Sequence, residues 1–406
     1  MRRNPLRTPS RRGRVVGLLA VAVLLAACSG DQTMLDPAGY YAERPDSLFV
    51  LVMWIALFVF IFVQGLILFT VFRYRRKGDE DDEVPAQVHG NTRLEIVWTV
   101  IPALILSAIA VPTVQQVFEL SAEPDDAMVV EVIGHRWWWE YRYPDSGIIT
   151  ANELVIPEDT NITLEMRAEE SGLPDNGVLH SYWIPALAGK QDVIPGRVVT
   201  LNMSADEPGR YLGQCTEYCG LSHVNMRNRG VVLTAGDFDA WVAEQQEGSP
   251  VAAAVADANP DWTTNTQVDQ VATPDDLASL VGDADATQVA QGWASFQNNC
   301  AACHQIRTDG VTSGEDFNAN TGPNLTHLMS RKEFAGAIFD LYELDDPDDP
   351  NGGWTDVPNV DQLTAWVYDA PAQKPMRSAD GVGMPSFNTL PQAEIDALVA
   401  YLLTME

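Results

Sequence analysis

Two long apolar stretches stand out in the first third of the chain. Residues 48–72 contain no charged side chain, and residues 94–117 contain only Glu95, together with Pro102 and Pro112. About 20 apolar residues in a helix are enough to cross the hydrocarbon core of a bilayer. Because each stretch exceeds that length, the pattern predicts a hairpin of two transmembrane helices.

The basic residues between the two stretches predict which way the hairpin faces. Residues 73–77 hold three arginines and one lysine, directly after the first stretch. Basic residues in short loops favour the cytoplasmic side of a membrane. The loop 73–93 is therefore expected in the cytoplasm, and both the segment 28–47 and everything after residue 117 are expected on the extracytoplasmic side.

The first 27 residues resemble an export signal. They combine six arginines and no acidic residue with the apolar run 15–27, which is too short to span a bilayer. The sequence Leu-Ala-Ala-Cys that ends at Cys28 resembles the bacterial lipobox, in which the cysteine is lipidated. We therefore expect a lipoprotein-type signal peptide at 1–27 and lipid attachment at Cys28; a plain signal with a chance cysteine is the alternative.

Short runs with strand character follow from about residue 128 to residue 234, within a predicted domain at 118–245. Pro, Gly, Asp and Asn separate them at short intervals, a pattern typical of an antiparallel β-sandwich. A short helix at 237–244 would close it, and residues 246–284, which lack a sustained period, are predicted to be a linker. The predicted strands are 128–132, 153–156, 163–166, 198–203 and 230–233.

Helical periodicity returns in residues 285–406, which are predicted to form an all-α domain. Its helices are expected at 286–298, 361–369 and 391–405. The fold class is thus multidomain: a transmembrane hairpin, a β-sandwich and a helical domain. A length of 406 residues fits this division, since about 150 residues form a typical domain.

Charge excludes one class of partner. The chain has 25 Lys and Arg against 56 Asp and Glu, a formal net charge of −31. Nucleic-acid binding needs a basic surface, so DNA and RNA are not expected as partners. Acidity of this size favours solubility and basic protein partners.

The densest group of metal-binding residue types lies at 213–226. Cys215, Cys219, His223 and Met226 fall within twelve residues, and His180 stands 35 residues before the first cysteine. Thiolate and imidazole donors suit copper, and a weak methionine ligand is typical of electron-transfer copper sites. Two cysteines on one loop can bridge a pair of copper ions. A Cys215–Cys219 disulfide, a zinc site and a core role for His180 are the alternatives.

A second motif, Cys-Ala-Ala-Cys-His, begins at Cys300 and is the attachment motif of c-type haem. Cys300 and Cys303 would bond the haem vinyl groups, and His304 would be an axial ligand. A redox dithiol and half of a zinc site are the alternatives. A downstream methionine should be the sixth ligand because methionine raises the haem potential. Met384 is favoured; the other candidates are Met329, Met376, Met405 and His327.

The chain resembles subunit II of the haem–copper cytochrome c oxidases, which carries a binuclear CuA centre on a Greek-key cupredoxin sandwich. The C-terminal part resembles a small cytochrome c, so the whole is similar to the caa-type oxidases. The first resemblance covers about residues 90–244. It rests on the segments 89–99, 134–141 and 192–197, on His180, and on the loop 213–226.

The resemblance implies a role for each copper-loop residue. Cys215 and Cys219 would bridge both ions, with His180 and Met226 completing one. His223 and the backbone carbonyl of Glu217 would complete the other. The Glu217 carboxylate is similar to one that reaches a magnesium ion at the border with subunit I. The family often has an acid three residues before the first histidine, where this chain has glycine, and that puts an acidic docking contact in doubt.

The resemblance implies roles for two further residues, Trp137 and Glu95. Trp137 matches a surface aromatic through which electrons enter towards copper, and simple packing is its alternative. Strand alternation would place it on the same face as Trp139. Glu95 resembles a residue at the mouth of a proton channel into subunit I, and helix N-terminal capping is its alternative.

The function implied is that of an electron-transfer subunit of a respiratory, proton-translocating oxidase in a bacterial plasma membrane. Electrons from cytochrome c or a cytochrome bc complex would reach the covalent haem, then copper, then haem in subunit I, where oxygen is reduced. Three other classes share part of the pattern: a copper-binding assembly factor, a nitrous oxide reductase-like CuA protein and a quinol oxidase subunit II.

Overall fold

The protein is described by a computed structural model that covers residues 32–75, 90–169, 177–264, 266–310, 321–345 and 353–406. The predicted signal peptide and Cys28 lie outside these residues. Two N-terminal helices, α1 (Tyr40–Arg73) and α2 (Thr92–Ser121), are long and apolar enough to cross a membrane. Both extend beyond the predicted stretches, because their ends continue into contacts with the sandwich.

The hairpin is fixed to the sandwich at one end. The Arg44 guanidinium and the Tyr40 hydroxyl of α1 both donate to the Glu119 carboxylate of α2. The Asn202 side-chain amide donates to the carbonyl oxygens of Leu120 and Ala122, at 3.1 and 2.9 Å. Since the last carbonyls of a helix lack intrahelical partners, Asn202 both caps α2 and joins it to the sandwich.

The described residues of the sandwich contain the strands β1 (Met128–His135), β2 (Trp138–Tyr143), β3 (Ile148–Ala151), β4 (Glu153–Pro157), β5 (Ile162–Ala168), β6 (His180–Tyr182), β7 (Gln191–Val193), β8 (Val199–Met203), β9 (Gly209–Gln214) and β10 (Arg227–Leu233). They form two main sheets with the strand orders β3-β2-β1-β5-β8 and β4-β10-β9, and a separate pair, β6-β7. Large side chains from both main sheets form one core, with Trp139, Tyr141 and Leu154 fully buried.

The sequence pattern predicted an antiparallel sandwich, and this prediction is wrong for two of the strand pairs. β1 pairs with β5 in parallel, and β4 pairs with β10 in parallel. The chain passes from the first sheet to the second at β4 and returns at β5, so β5 enters beside β1 in the same direction. Helix α3 (Ala235–Gln245), the predicted closing helix, follows β10.

The predicted linker contributes to a core instead. It contains α4 (Pro250–Ala258), with Ser249 accepting from the Ala252 N–H as N-cap, and the short α5 (Leu277–Leu280). Both helices bury side chains in the C-terminal core. The pattern was missed because α4 is only nine residues long and composed mainly of Ala and Val.

The C-terminal domain packs three longer helices, α6 (Ala286–Asn299), α7 (Val360–Gln373) and α8 (Gln392–Leu402). It is not purely helical. Its described residues include two pairs of short antiparallel strands: β11 (Glu333–Phe334) with β12 (Phe339–Asp340), and β13 (Tyr342–Leu344) with β14 (Trp354–Pro358). Strands this short give too few alternating positions to be recognised from sequence.

Gly292 permits the closest approach of α6 and α8. A Cβ atom at this position would lie 2.0 Å from the Ala397 carbonyl oxygen. No side chain fits there without separating the helices, so a glycine in the middle of a helix is tolerated despite its entropic cost.

We predict that Gly292→Ala lowers the free energy of unfolding of the C-terminal domain by about 1–3 kcal/mol, the usual cost of overpacking. Amide hydrogen exchange of α6 and α8 in the full chain measures the effect. Gly236→Ala in α3 is the matched control, because a Cβ there would meet nothing within 4 Å. Unchanged exchange in the Gly292 variant would contradict the close-approach argument.

Candidate copper and haem sites

The structure brings the soft donors of the copper loop together with His180. The Sγ atoms of Cys215 and Cys219 lie 3.9 Å apart, and the Nδ1 of His180 lies 3.9 Å from the Cys215 sulfur. The Cys219 sulfur is 3.6 Å from His223 Nδ1 and 3.7 Å from Met226 Sδ. These separations leave both thiols free rather than joined in a disulfide, and they fit donors grouped around metal ions.

Backbone hydrogen bonds fix the copper loop to the strands on either side. The Cys215 N–H donates to the Met226 carbonyl at 2.9 Å, and the Thr216 N–H donates to the Ser181 carbonyl at 2.9 Å. His180 begins β6, and Met226 immediately precedes β10. The donors are therefore carried by the rigid ends of several strands, which holds them in place before a metal binds.

Gly134 makes room for the His180 imidazole. A Cβ at this position would lie 3.0 Å from the His180 ring and 3.1 Å from the Trp139 ring. Trp139 in turn meets His180 edge to face, with ring centroids 5.7 Å apart. Gly134 stood in one of the motifs of the resemblance, but a packing role against a residue 46 positions away has no local sequence signal.

A hydrogen bond couples the two cysteines of the copper loop. This contact between the Cys215 and Cys219 sulfurs lowers the pKa of Cys215. The same bond, together with burial, raises the pKa of Cys219. One thiolate is thus readily available, and thiolates are the forms that bind metals. The Glu217 carbonyl oxygen lies 3.3 Å from the Cys215 sulfur, so it also faces the donor group.

Trp137 occupies a different place from the one its resemblance implied. It lies in the turn between β1 and β2 rather than on a strand, and it is only 3% exposed. Its indole Nε1 donates to the Cys219 carbonyl at 2.9 Å. Trp137 is not a surface residue here because the C-terminal domain covers it.

A cavity of about 590 Å³ lies beside the Cys-x-x-Cys-His motif. Cys300, Cys303, His304 and Met384 all line it, and Trp137 forms part of the opposite wall. Its lining is mostly apolar, as a flat hydrophobic cofactor requires. The structure thus joins four predicted haem-binding residues with the tryptophan that contacts the copper loop.

His304 is oriented as an axial ligand needs to be. Its Nδ1 lies 2.8 Å from the Pro323 carbonyl oxygen, which accepts a hydrogen bond from the protonated Nδ1 and leaves Nε2 free for a metal. Burial lowers the pKa of His304 and so favours the neutral ring. Gly322 allows this approach, since a Cβ there would lie 2.8 Å from the imidazole.

The candidates for the sixth haem ligand separate into two groups. Met376 and Met384 both line the cavity, and the Met384 N–H donates to the Met376 sulfur at 3.1 Å. Met329 and Met405 are buried in the helical core instead. Both ring nitrogens of His327 lie within 3.1 Å of carbonyl oxygens, so that ring is engaged elsewhere.

His135 forms an ion-pair group at the edge of the cavity. It lies 2.9 Å from a Glu140 carboxylate oxygen and 3.2 Å from one of Glu169, and its ring stacks on Trp138 at 4.1 Å. Burial opposes a charge on this imidazole, but the two carboxylates outweigh it and raise the pKa of His135. Trp138 and Glu169 both line the cavity, so this group stiffens its sandwich-side wall.

Glu95 is not brought to either site. It is an exposed residue in the first turn of α2, and the N-cap of that helix is Asn91. A carboxylate in this position interacts favourably with the helix dipole, although Asn91 and not Glu95 caps the helix.

Comparisons with known proteins agree with this arrangement. Residues 148–233 match the family described as cytochrome c oxidase subunit II, periplasmic domain. Residues 27–116 match its transmembrane domain, and residues 289–406 match cytochrome c. The matched segments contain the copper-loop donors, the whole of α1, most of α2 and the Cys-x-x-Cys-His motif.

Individual relatives extend the similarity over the whole chain. Cytochrome c oxidase subunit 2 of Alkalihalophilus pseudofirmus is 30% identical over 402 residues, covering 97% of each chain. The same subunit of Bacillus sp. (strain PS3) is 29% identical and covers 95% of each. Quinol oxidase subunit 2 of Bacillus spizizenii is 34% identical but covers 58% of this chain and 73% of the relative. Because the first similarity covers 97% of each chain at 30% identity and includes the cytochrome part, the chain belongs to the cytochrome c oxidase subunit II family.

Proposed function

We propose that this chain receives electrons at a covalent haem c and passes them through a binuclear copper centre to haem in subunit I of the oxidase. The observation that carries the proposal is the position of Trp137. Trp137 lines the cavity beside the haem motif, while its indole donates to the carbonyl of Cys219. A single residue thus borders both sites.

We assign the copper ligands to the donors that the fold groups together. Cys215 and Cys219 would supply bridging thiolates, His180 and Met226 would bind one ion, and His223 with the Glu217 carbonyl would bind the other. The short separations among these atoms support the assignment. Bound there, a copper pair would supply one-electron redox chemistry, and the buried, rigid loop keeps the ligands from rearranging between oxidation states.

We assign the haem to Cys300 and Cys303 through covalent bonds, with His304 and Met384 as axial ligands. The free Nε2 of His304 and the apolar cavity support this. The Met376 sulfur already accepts a hydrogen bond from the Met384 N–H, which engages one of its two lone pairs, and this favours Met384 as the ligand.

The remaining assignments concern the setting of the protein. Subunit I and the other oxidase subunits are the partners, in a bacterial plasma membrane, with both redox domains outside and Cys28 lipidated. The Glu217 carboxylate would face a magnesium ion at the subunit I border, and Glu95 would lie at the mouth of a proton channel. Since Trp137 is covered, the donor, cytochrome c or a cytochrome bc complex, delivers electrons to the haem domain.

The competing classes each leave a feature unexplained. The function of a copper-delivering assembly factor does not explain a cavity of about 590 Å³ that is lined by Cys300 and Cys303. A quinol oxidase subunit II has no use for the grouped thiols, and the similarity to such subunits spans 58% of this chain. A nitrous oxide reductase-like protein does not account for the two long apolar helices.

Cys219→Ser should remove the shared copper centre while leaving the haem attached. We expect haem-to-subunit-I electron transfer in the assembled oxidase to fall by more than about 100-fold, because a bridging thiolate is lost. Copper analysis and EPR measure the centre, and flash-induced absorbance changes measure the rate. Tyr218→Phe is the matched control on the same loop, since Tyr218 is 74% exposed. A Cys219 variant with the normal copper signal would disprove the ligand assignment.

The variants Met384→Ala and Met376→Ala should differ in their haem potential and in their visible absorption. Loss of a thioether ligand lowers the haem potential, so we expect the Met384 variant alone to show a lower midpoint potential and to lose the absorption of thioether-ligated ferric haem. Redox titration followed by visible spectroscopy distinguishes them. The reverse pattern would assign the ligand to Met376.

A further inference from the structure

One hairpin of the C-terminal domain lies directly against the sandwich. The docking hairpin, defined here as residues 333–340, comprises β11, β12 and the turn between them. It lies between the haem cavity and the strand β10 of the sandwich. Two of its turn residues, Ala335 and Gly336, also line the cavity.

A buried ion-pair network holds the base of the docking hairpin. Both carboxylate oxygens of Glu333 accept from Arg229 of β10, at 2.6 and 2.7 Å. Arg210 of β9 lies 3.0 Å from the same carboxylate and 2.8 Å from Glu153. Glu333 and Arg229 are each 8% exposed. Two carboxylates thus balance two guanidinium groups across the junction, and a paired arrangement of this kind resists separation because each charge would be left buried without its partner.

The turn of the docking hairpin has an unfavourable backbone conformation, and its carbonyl groups accept hydrogen bonds across the junction. Ala335, Gly336 and Ala337 have φ values of 56°, 87° and 56°, a left-handed run that is unfavourable for the two alanines. Their three successive carbonyl oxygens all accept hydrogen bonds. The donors are Lys374 Nζ at 2.9 Å, the Arg227 N–H at 3.2 Å and Arg229 Nη2 at 3.4 Å.

Lys374 ties this turn to Trp137. Its ammonium donates to the Trp137 carbonyl at 2.7 Å as well as to that of Ala335, and its side chain is 3% exposed and lines the haem cavity. Burial lowers the pKa of Lys374 to about 7. An ammonium removed from water this completely is kept in place only by acceptors of fixed position.

We propose that Glu333 and Lys374 are positioning residues that clamp the C-terminal domain on the sandwich, so that the haem cavity and Trp137 keep one fixed relation during turnover. The inference rests on the proposed function for its purpose, but the clamp is a property of this chain's own residues. It excludes a cytochrome domain that swings away from the copper domain between electron transfers.

The Arg227 amide reports on the clamp whether or not either cofactor assignment is right. It donates across the junction to Gly336, whereas the Arg229 amide donates to Asn152 within the sandwich, at 2.9 Å. In the full oxidase we expect the two amides to be similarly protected from hydrogen exchange. A wild-type Arg227 amide that exchanges at least 100-fold faster than that of Arg229 would overturn the proposal.

Two variants test the named residues. We expect Glu333→Gln and Lys374→Met each to speed Arg227 exchange at least tenfold while Arg229 stays protected. Glu343→Gln and Lys332→Met are the matched controls, since Glu343 is exposed and Lys332 lies 4.3 Å from the Tyr342 ring of its own domain. Faster exchange in the controls as well, or unchanged exchange in both test variants, would reject the roles of Glu333 and Lys374.

Electron transfer gives the second readout. Flash-reduced haem in wild-type oxidase should pass its electron to copper at a rate independent of solvent viscosity, since no domain motion precedes the step. In both test variants we expect a rate at least tenfold lower that falls further in glycerol, with haem and copper contents unchanged. A viscosity-dependent wild-type rate would overturn the clamp, whereas wild-type protein without haem or copper signals would instead overturn the proposed function and leave the exchange result to decide the clamp.

Discussion

The hydrogen bond from the Trp137 indole to the Cys219 carbonyl is the contact on which the arrangement of the two sites depends. It fixes the indole ring of Trp137 against the copper loop, and Trp137 also forms part of the wall of the haem cavity. Burial of Trp137 excludes water from this contact, and a dry, fixed contact needs little reorganisation when charge moves past it. The position follows from the β1–β2 turn, whose strands are part of the largest sheet. The sandwich therefore acts as a rigid support for the junction as well as for the copper loop.

Charge is distributed in two distinct ways over the molecule. The chain as a whole carries −31, yet the junction pairs Glu333 and Glu153 with Arg229 and Arg210 and adds the Lys374 ammonium. The acidic residues that account for the net charge are thus not those that hold the domains together. A surface of one sign steers a basic donor over long range, whereas buried pairs act only at contact and are little screened by salt.

The local motifs could be predicted from sequence, but the contacts between distant segments could not. Cys215, Cys219, His223 and Met226 lie on one loop, so their spacing alone indicated copper, and the structure groups them with His180. The haem motif is equally local. The covered position of Trp137 had no signal in the sequence, because it depends on a domain that begins more than 100 residues later. The parallel pairing of β1 with β5 was missed for the same reason: alternation predicts a strand but not its neighbour.

The segment predicted to be a linker contains a short helix that is stabilised by packing, which its composition does not indicate. Residues 250–258 are mostly Ala and Val, which in isolation give no decisive period and too short a helix to be stable. Packing against α6 supplies the missing stability, since Val251, Ala252 and Val255 are all buried in the C-terminal core. The connection from the sandwich to the cytochrome domain is thereby shortened to the few residues after α3. A short, anchored connection limits how far the domain can move, and this limit acts in the same direction as the ion pairs and the lysine at the junction.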